Sequence, residues 1–549
     1  MKITLAQINY HIGNFEKNSG LIIDAIKKAK KESSDLIIFS ELSLTGYPPH
    51  DLLEHRDFIE KCNYYISIIA KECREIYAII GAPAINPKSS GKKLFNAAYI
   101  LGAGGIIDMV YKSLLPTYDI FDEYRYFEPS SEFKLVKVNG KKLAVTICED
   151  LWDEQGFENE FSSSRMYSVS PMEELIKLKP DLVINISASP FAYTKTESKR
   201  KIFTSKAARY KLPLIMVNQV GANTDLIFEG NSMVIGPKGN IIDIFPAFNE
   251  HIASYELSDI IRTKTDIKIE TDRIGMIYSA LILGLKDYFD KMKFPSAVLG
   301  LSGGIDSAVC LCLAVKALGP SRVRVLMLPS MYSSDHSVDD AVDLSNKLGV
   351  RYDIINIEDS FRVITESLSD IMRGTEADVT EENIQARLRS LLLMAVSNKF
   401  GNILLNTSNK SETAVGYTTL YGDMTGSISV LGDVYKTDIY RLADHINKEE
   451  LLIPRSIINK APSAELRPGQ KDSDSLPEYE ILDSILYQYI ELQKPISGIK
   501  GRNINRELVK KIINLINKNE YKRFQAPPIL RISHKAFGIG RRMPLVGVY

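Results

Sequence analysis

The chain has 549 residues, 45% of them hydrophobic and 25% charged, which is too long for one compact domain and too apolar for disorder; two to four domains are expected at roughly 100 to 200 residues each. Its 68 Lys plus Arg balance 68 Asp plus Glu, so no global positive field argues for a nucleic acid or an anionic membrane surface as partner. Apolar runs such as LIIF, SAVLGL and ILLN fall far below the ~18 residues of a spanning helix, and MKITLAQINY lacks the longer apolar run and cleavage site of a secretory signal.

The first 255 residues alternate β-rich runs (ITLAQI, DLIIFSEL, YAIIGAPAI, KLAVTICED, DLVINISAS, LIMVNQV, NSMVIG) with helical patterns at 17–32 and 197–211. Strands interleaved with helices read as α/β layers. The charged stretch at 258–272 carries no sustained apolar stripe, so a linker is expected over 256–275. It separates a domain at 1–255 from a second at 276–549. Beyond it PSAVLGLSGG, RVRVLMLPS, RYDIINIED and GNILLNTSN alternate with helices near 305–318, 336–348 and 380–399. That pattern predicts an open, mostly parallel sheet whose ligands sit beyond the strand C-termini. The segment after 460, rich in Pro, Ser and charge, reads as an ordered or ligand-ordered loop followed by closing helices. Five cysteines (Cys62, Cys73, Cys148, Cys310, Cys312) are an odd number without zinc-ligand spacing, which fits reduced thiols in a cytoplasmic protein.

Glu41, Lys112 and Cys148 each follow or end an apolar run (LIIFS, IIDMVY, LAVTI), so all three can reach one rim of a sheet. A thiol with a base and a cation beside it has the parts of a nucleophile with oxyanion support. By spacing alone the bland alternative, a buried inert thiol beside two surface charges, is the stronger one.

The surrounding stretches tip the balance. FSELSLTGYPPHDLL, YKSLLPTYDIFDEYRYF and TICEDLWDE resemble, in order, the catalytic segments of the nitrilase superfamily in the variant that serves NAD synthetases as a glutamine amidotransferase domain. NISASPFAYTK and VNQVGANTDLIFEGNSMVIGPKG resemble later blocks, so the likeness spans residues 1–255. It implies an α-β-β-α sandwich in which Cys148 attacks the glutamine carboxamide to form a thioester. Glu41 would be the general base and Lys112 the oxyanion support. Tyr118, Ser189 and Lys195 match glutamine-holding positions, and Glu123 a position beside the site.

The string Leu299–Ser307, LGLSGGIDS, follows a β run and opens a helix. Gly300, Gly303 and Gly304 allow close backbone approach, Ser302 and Ser307 supply hydroxyls, and the helix start adds N–H donors, an arrangement suited to phosphate. A plain strand-to-helix turn would need the same glycines. Asp306 stands in a string without the Lys of a Walker loop, which points away from γ-phosphate transfer. With Leu301 and Ile305 the loop resembles that of N-type ATP pyrophosphatases, the adenine nucleotide alpha hydrolase-like fold. Such enzymes adenylate a carboxylate or carbonyl oxygen and release pyrophosphate.

TEENIQARLRSLLLMAVSN, NTSNKSETAVGYTTLYGD, LGDVYKTDIYRLA, KAPSAELRPGQKDSDSLPEYEILD and RISHKAFGIGRRMP resemble, in order, the ligand-binding blocks of the NAD synthetases. By that likeness Asp306 and Glu412 place Mg2+ on ATP, a task for hard oxygen ligands, and Thr407 contacts ATP. Asn383, Arg387, Glu412 and Lys522 fall at deamido-NAD+ positions, with Asp423 and Lys436 near the reacting groups. Two positions depart from the pattern: Asn406 stands where Gly is expected, and Ser473 where Glu is.

Joined, the halves imply that glutamine-derived ammonia passes through an internal tunnel to an NAD-adenylate, giving NAD+, AMP, pyrophosphate and glutamate. No redox cofactor is implied. The synthetase likeness implies a homo-oligomer, at least a dimer, with an octamer among the allowed assemblies. A tRNA-modifying fusion and a sensor with decayed sites are the rival readings. Balanced charge without an RNA-binding module disfavours the first, and the intact Glu41, Lys112, Cys148, Ser302, Asp306 and Glu412 set disfavours the second.

Overall fold

Thr4 and Ala6 alternate with Ile3 and Leu5 along the first strand, yet all four are buried, the mark of a strand covered on both faces. The computed structural model describes residues 1–154 and 166–547. It divides into two compact units, Met1–Thr271 and Asp272–Tyr549.

The first unit holds two six-stranded sheets. In one, the strands run His251–Glu256, Lys2–Gln7, Leu36–Ile38, Tyr77–Ile85, Leu94–Gly102, Gly105–Tyr111; the central three are parallel and the rest antiparallel. In the other, Lys141–Ile147, Leu182–Ser187 and Leu214–Asn218 form the parallel centre. Ile3, Leu5, Ile38 and Ile79 of the first sheet share one buried cluster with Val145, Ile147, Ile184 and Val217 of the second, so the sheets pack face to face. The outer face of the first is covered by Phe15–Lys31 and Arg56–Glu72, and that of the second by Pro171–Lys177 and Thr196–Tyr210. This is the expected α-β-β-α sandwich.

Local chemistry explains the layers. Helix Phe15–Lys31 starts where the Asn14 side chain accepts from Lys17 N and carries Lys28, Lys30 and Lys31 in its last turn, satisfying both helix ends. Ile22, Ala25, Ile26 and Ala29 make its buried stripe, at about 1.5–3 kcal/mol for each isoleucine; Ile26→Asp would break it. Leu257 and Ile260 of the short helix Leu257–Arg262 belong to the inter-sheet core, which carries the first unit into the charged stretch.

The second unit begins with helix Arg273–Met292 and contains a five-stranded, wholly parallel sheet. Its order is Arg351–Ile354, Val323–Met327, Ser296–Gly300, Asn402–Asn406, Ile428–Ser429. The order reverses direction at Ser296–Gly300, so the crevice for a ligand opens beyond that strand's C-terminus, where the glycine loop lies. Helices Tyr479–Leu486 and Arg506–Lys518 close over the short helix Lys410–Val415 through a separate apolar cluster. No helix among the described residues is long and apolar enough to cross a membrane.

Candidate active sites

Cys148 sits where strand Lys141–Ile147 turns into a short 3-10 helix, Cys148–Leu151, with φ of +44°. A residue with a β-carbon rarely adopts that conformation, and strained strand-to-helix turns are where nucleophiles are often presented. The Asp150 carboxylate accepts from Ile147 N (3.0 Å), Ser113 N (2.9 Å) and Leu114 N (2.9 Å). It thereby ties the segment after Lys112 to the cysteine turn.

Glu41 and Lys112 are fully buried. Lys112 Nζ donates to Glu41 Oε1 at 2.7 Å and to both oxygens of buried Glu123 at 2.8 Å. Glu41 Oε2 accepts from Ala188 N at 2.9 Å, and Tyr47 donates to Glu123 Oε1 at 2.9 Å. Burial by itself pushes the Lys112 ammonium down, but Glu123 and Glu41 together hold it well above its usual range; it is a permanent cation. Burial, together with the Glu41 charge, pushes the Cys148 thiol well above its ordinary value, against the pull of Lys112. That direction favours the thiol over the thiolate near neutral pH. Burial raises Glu123 to about 7 although Lys112 opposes it. Beside the cysteine, Glu149 accepts from Tyr118 (3.0 Å) and Tyr167 (2.9 Å), while Lys195 Nζ lies 5.8 Å from the Tyr118 ring centre.

In the second unit the glycine loop is braced by its own hydroxyls. Ser302 and Ser307 Oγ are 3.1 Å apart, and Gly304 N donates to Ser302 Oγ at 3.3 Å. Gly303 has φ +75°, and a β-carbon there would stand 2.3 Å from Ser337 O, so only glycine fits. A cavity of about 310 Å³ opens on this loop and reaches Thr407, Glu412, Asp423 and Lys436. Lys436 Nζ bridges Asp306 Oδ2 (2.5 Å) and Glu412 Oε1 (3.0 Å). Asn409 Nδ2 donates to Asp306 Oδ1 at 2.9 Å. Burial raises Glu412 to about 7 against the pull of Lys436. Two carboxylates at the mouth of a phosphate loop are the donor set Mg2+ takes when substrate phosphates and water complete its shell. Among the described residues no group of three or more His, Cys, Asp or Glu side chains is placed to hold a metal unaided.

Residues 2–265 match the carbon-nitrogen hydrolase family and residues 277–526 the NAD synthase family. A glutamine-dependent NAD(+) synthetase of Synechocystis is 40% identical, the match covering 100% of this chain and 99% of the relative. That of Acinetobacter baylyi is 39% identical, covering 99% and 98%. The chain belongs to the glutamine-dependent NAD+ synthetases. The solved structure of the Acinetobacter baumannii member, in complex with ADP, superposes with a TM-score of 0.78 at 36% identity, covering 99% of this chain and 98% of that one.

Glu41, Lys112 and Glu123 converge into one bonded cluster, with Cys148 in its field. Tyr118 and Lys195 adjoin each other; Ser189 is held by its backbone, N to Asn218 Oδ1 at 2.9 Å. The dinucleotide positions divide. Asp423 faces the cavity and accepts from Thr419 N at 2.6 Å, while Thr419 Oγ1 donates to Asn383 Oδ1 at 2.7 Å. Lys522 Nζ donates to the Gly416 (2.9 Å) and Thr418 (2.7 Å) carbonyls. Arg387 is exposed and donates to Leu420 O at 3.2 Å. Two residues on, Arg389 lines the cavity and donates to Leu328 O at 3.0 Å. Asn406 is buried; its Nδ2 donates to Asp423 O at 2.7 Å and its Oδ1 accepts from Ser429 at 2.8 Å. The residue in the expected glycine's place thus braces the Asp423 turn.

Sequence reasoning missed Asn96, Glu149, Asp150 and Asn409, and weighed for Arg389, as for Arg387, a solvated helix face. Glu149 and Asp150 are two acids directly after the cysteine, and Asn96 is a lone amide in the apolar run LFNAAYI; both signals were readable. Asn409 carried none, and nothing in the spacing of QARLRS put Arg389 at the cavity, because only the folded chain brings them to Asp306 and to the cavity.

Proposed function

We propose that this chain amidates deamido-NAD+ to NAD+ with glutamine as nitrogen source. The observation that carries the reading is the buried Glu41–Lys112–Glu123 cluster beside the strained Cys148 turn, in a chain whose other unit holds a phosphate loop facing an acid pair. Cys148 attacks the glutamine carboxamide, passing its proton to Glu41 as the thioester forms. Glu41 then gives that proton to the departing ammonia and activates the hydrolytic water. Lys112, cationic throughout, faces the oxyanion; its two contacts to Glu123 are the ones an oxyanion would compete with. Glu149 offers a negative partner for the substrate ammonium, and Lys195 a positive one for its carboxylate, beside Tyr118 and Ser189.

In the second unit the 300–307 loop and Thr407 hold ATP, and Asp306 and Glu412 are the ligands for Mg2+, which supplies charge neutralisation on the phosphates when bound. Lys436 keeps the two carboxylates together and adds positive charge at the phosphates. Asn383, Arg387, Asp423 and Lys522 serve deamido-NAD+. ATP adenylates its nicotinate carboxylate with loss of pyrophosphate, and ammonia displaces AMP. Neutral ammonia is a minor species near neutral pH and escapes to water, so an internal passage follows from the chemistry. The working enzyme is a cytoplasmic homo-oligomer.

The test is NAD+ formation from deamido-NAD+, ATP and Mg2+ with either glutamine or ammonium chloride, wild type beside Cys148→Ala. Loss of glutamine-supported synthesis alone is expected. Full glutamine-supported activity in the variant would sink the nucleophile assignment, and no NAD+ from either nitrogen source would sink the acceptor assignment.

A further inference from the structure

Asn96 is fully buried on strand Leu94–Gly102 and hydrogen-bonds Glu41, Glu123 and Lys112. Its Nδ2 donates to Glu41 Oε1 at 2.8 Å and to Glu123 Oε2 at 3.4 Å. Its main-chain carbonyl accepts from Lys112 N at 2.9 Å, holding the root of the lysine. The opposite side of its amide tells the same story: Asn96 Oδ1 is buried with no partner among the described residues. Turning the amide over would bring that oxygen against two carboxylates, so the orientation is dictated by charge. Leaving a buried oxygen unpaired is costly, and an apolar side chain of the same size would remove that cost. What the amide contributes at this position therefore lies in its N–H groups.

Their effect falls unequally on the two oxygens of Glu41. Oε1 takes Lys112 Nζ and Asn96 Nδ2, while Oε2 takes only Ala188 N. Ala188 stands two residues past Ile186, the register partner of Ile147 that precedes the cysteine. Oε2 is thus the less encumbered oxygen, and its single donor comes from the residue just past Leu182–Ser187, the strand paired with the one that ends before Cys148. We propose that Asn96 is a positioning residue of the glutaminase site, occupying Glu41 Oε1 and bridging to Glu123 so that Oε2 is the atom that exchanges the Cys148 proton. This rests on Cys148 as nucleophile. In the first step the S–H proton passes to Oε2 while Sγ bonds to the carboxamide carbon and the C=O electron pair becomes the oxyanion. In the second the proton goes to nitrogen as the C–N bond breaks and ammonia leaves.

The groups facing the carboxylate pair are Lys112, the Tyr47 hydroxyl, the Ala188 N–H, the Cys148 thiol and Asn96 itself. A donated N–H favours an ionised carboxylate over a protonated one. Removing it must move the acid limb of glutaminase activity to higher pH.

The experiment uses the full chain with Asn96→Leu and Asn96→Asp, two similar-sized residues that lack the N–H donors. Glutamine-supported and ammonia-supported NAD+ formation are measured across pH, with Cys148→Ala alongside. Expected are a fall of about 10²-fold in kcat with glutamine, a glutamine KM within about twofold of wild type, an acid limb moved upward, and an unchanged ammonia-supported rate. A wild-type acid limb in both variants, or a loss confined to KM, would overturn the proposal while leaving Cys148 in place. Glutamine-supported activity surviving in Cys148→Ala would instead overturn the underlying reading.

Discussion

Gly81 decides where Glu41 stands. It lies on strand Tyr77–Ile85, and a β-carbon there would meet Leu42 N at 2.2 Å, Ser40 O at 2.5 Å and Glu41 C at 2.7 Å. All three are main-chain atoms, so no side-chain rotation relieves the clash. Ordinary contact needs about 3.5 Å, so Gly81→Ala must push the Glu41 segment back by roughly 1 Å. Gly81 O also accepts from Leu44 N (3.2 Å) and Ser43 Oγ (3.4 Å), which resist that movement. The expected cost in stability is about 1–3 kcal/mol. A displacement of this size at the proposed base is expected to lower turnover by about 10²-fold. The assay pairs glutamine hydrolysis with ammonia-supported NAD+ synthesis on the same preparation, and urea unfolding gives the stability change. Gly20→Ala is the control: Gly20 lies within helix Phe15–Lys31, and a β-carbon there meets nothing within 4 Å, so a stability gain of roughly 0.5–1 kcal/mol is expected. Glutamine turnover at the wild-type rate in folded Gly81→Ala would refute the claim that this close approach sets the base.

Three further outcomes are expected. Glu123 titrates near 7 in the folded chain against an ordinary 4.5; the folded state then holds the extra proton between those values, and stability falls as pH rises through that window. Glu123→Gln should flatten this slope in thermal unfolding of the first unit, and an unchanged slope would contradict it. Gly303→Ala, with its β-carbon 2.3 Å from Ser337 O, should weaken ATP binding at least about tenfold by calorimetry, since both the φ and the space are unavailable to alanine; wild-type affinity would show that the loop can yield. Trp152 is buried edge-on to Phe203, 6.2 Å between ring centres, at the end of the cysteine helix, so its emission in Cys148→Ala should respond to glutamine titration. A flat titration alongside calorimetric binding would show that the turn does not move.

Much of the chemistry could be read without coordinates because it is carried by short segments. Glu41 and Cys148 each follow a buried strand and Lys112 a partly exposed one, and a strand end is a local feature of the hydrophobic pattern. The Leu299–Ser307 string likewise encodes its own turn through glycine freedom and hydroxyl bracing. The parallel sheet of the second unit follows from the order of strand-like and helical runs, whereas in the first unit that order gives only α/β layers and the two-sheet sandwich came from the family resemblance. Strand Ile428–Ser429, two residues long, left no periodic trace, and the antiparallel strand Leu94–Gly102 was passed over among apolar residues.

The partners of the reactive groups are another matter. Glu41 and Asn96 are 55 residues apart, and Glu41 and Ala188 are 147 apart; such pairs are set by sheet register and by which faces the sandwich encloses. Charge state depends on the same enclosure, because burial raises Cys148 and Glu123 and no sequence pattern records burial depth. The helical spacing of Arg387 and Arg389 says only that they point different ways; the packing of Val379–Phe400 on the sheet decided that Arg389 lines the cavity. The sequence thus determined which reactive side chains exist and on which local turns they stand. Tertiary structure alone decided which atoms they meet, since hydrogen bonding and desolvation act through space across segments 55 to 147 residues apart.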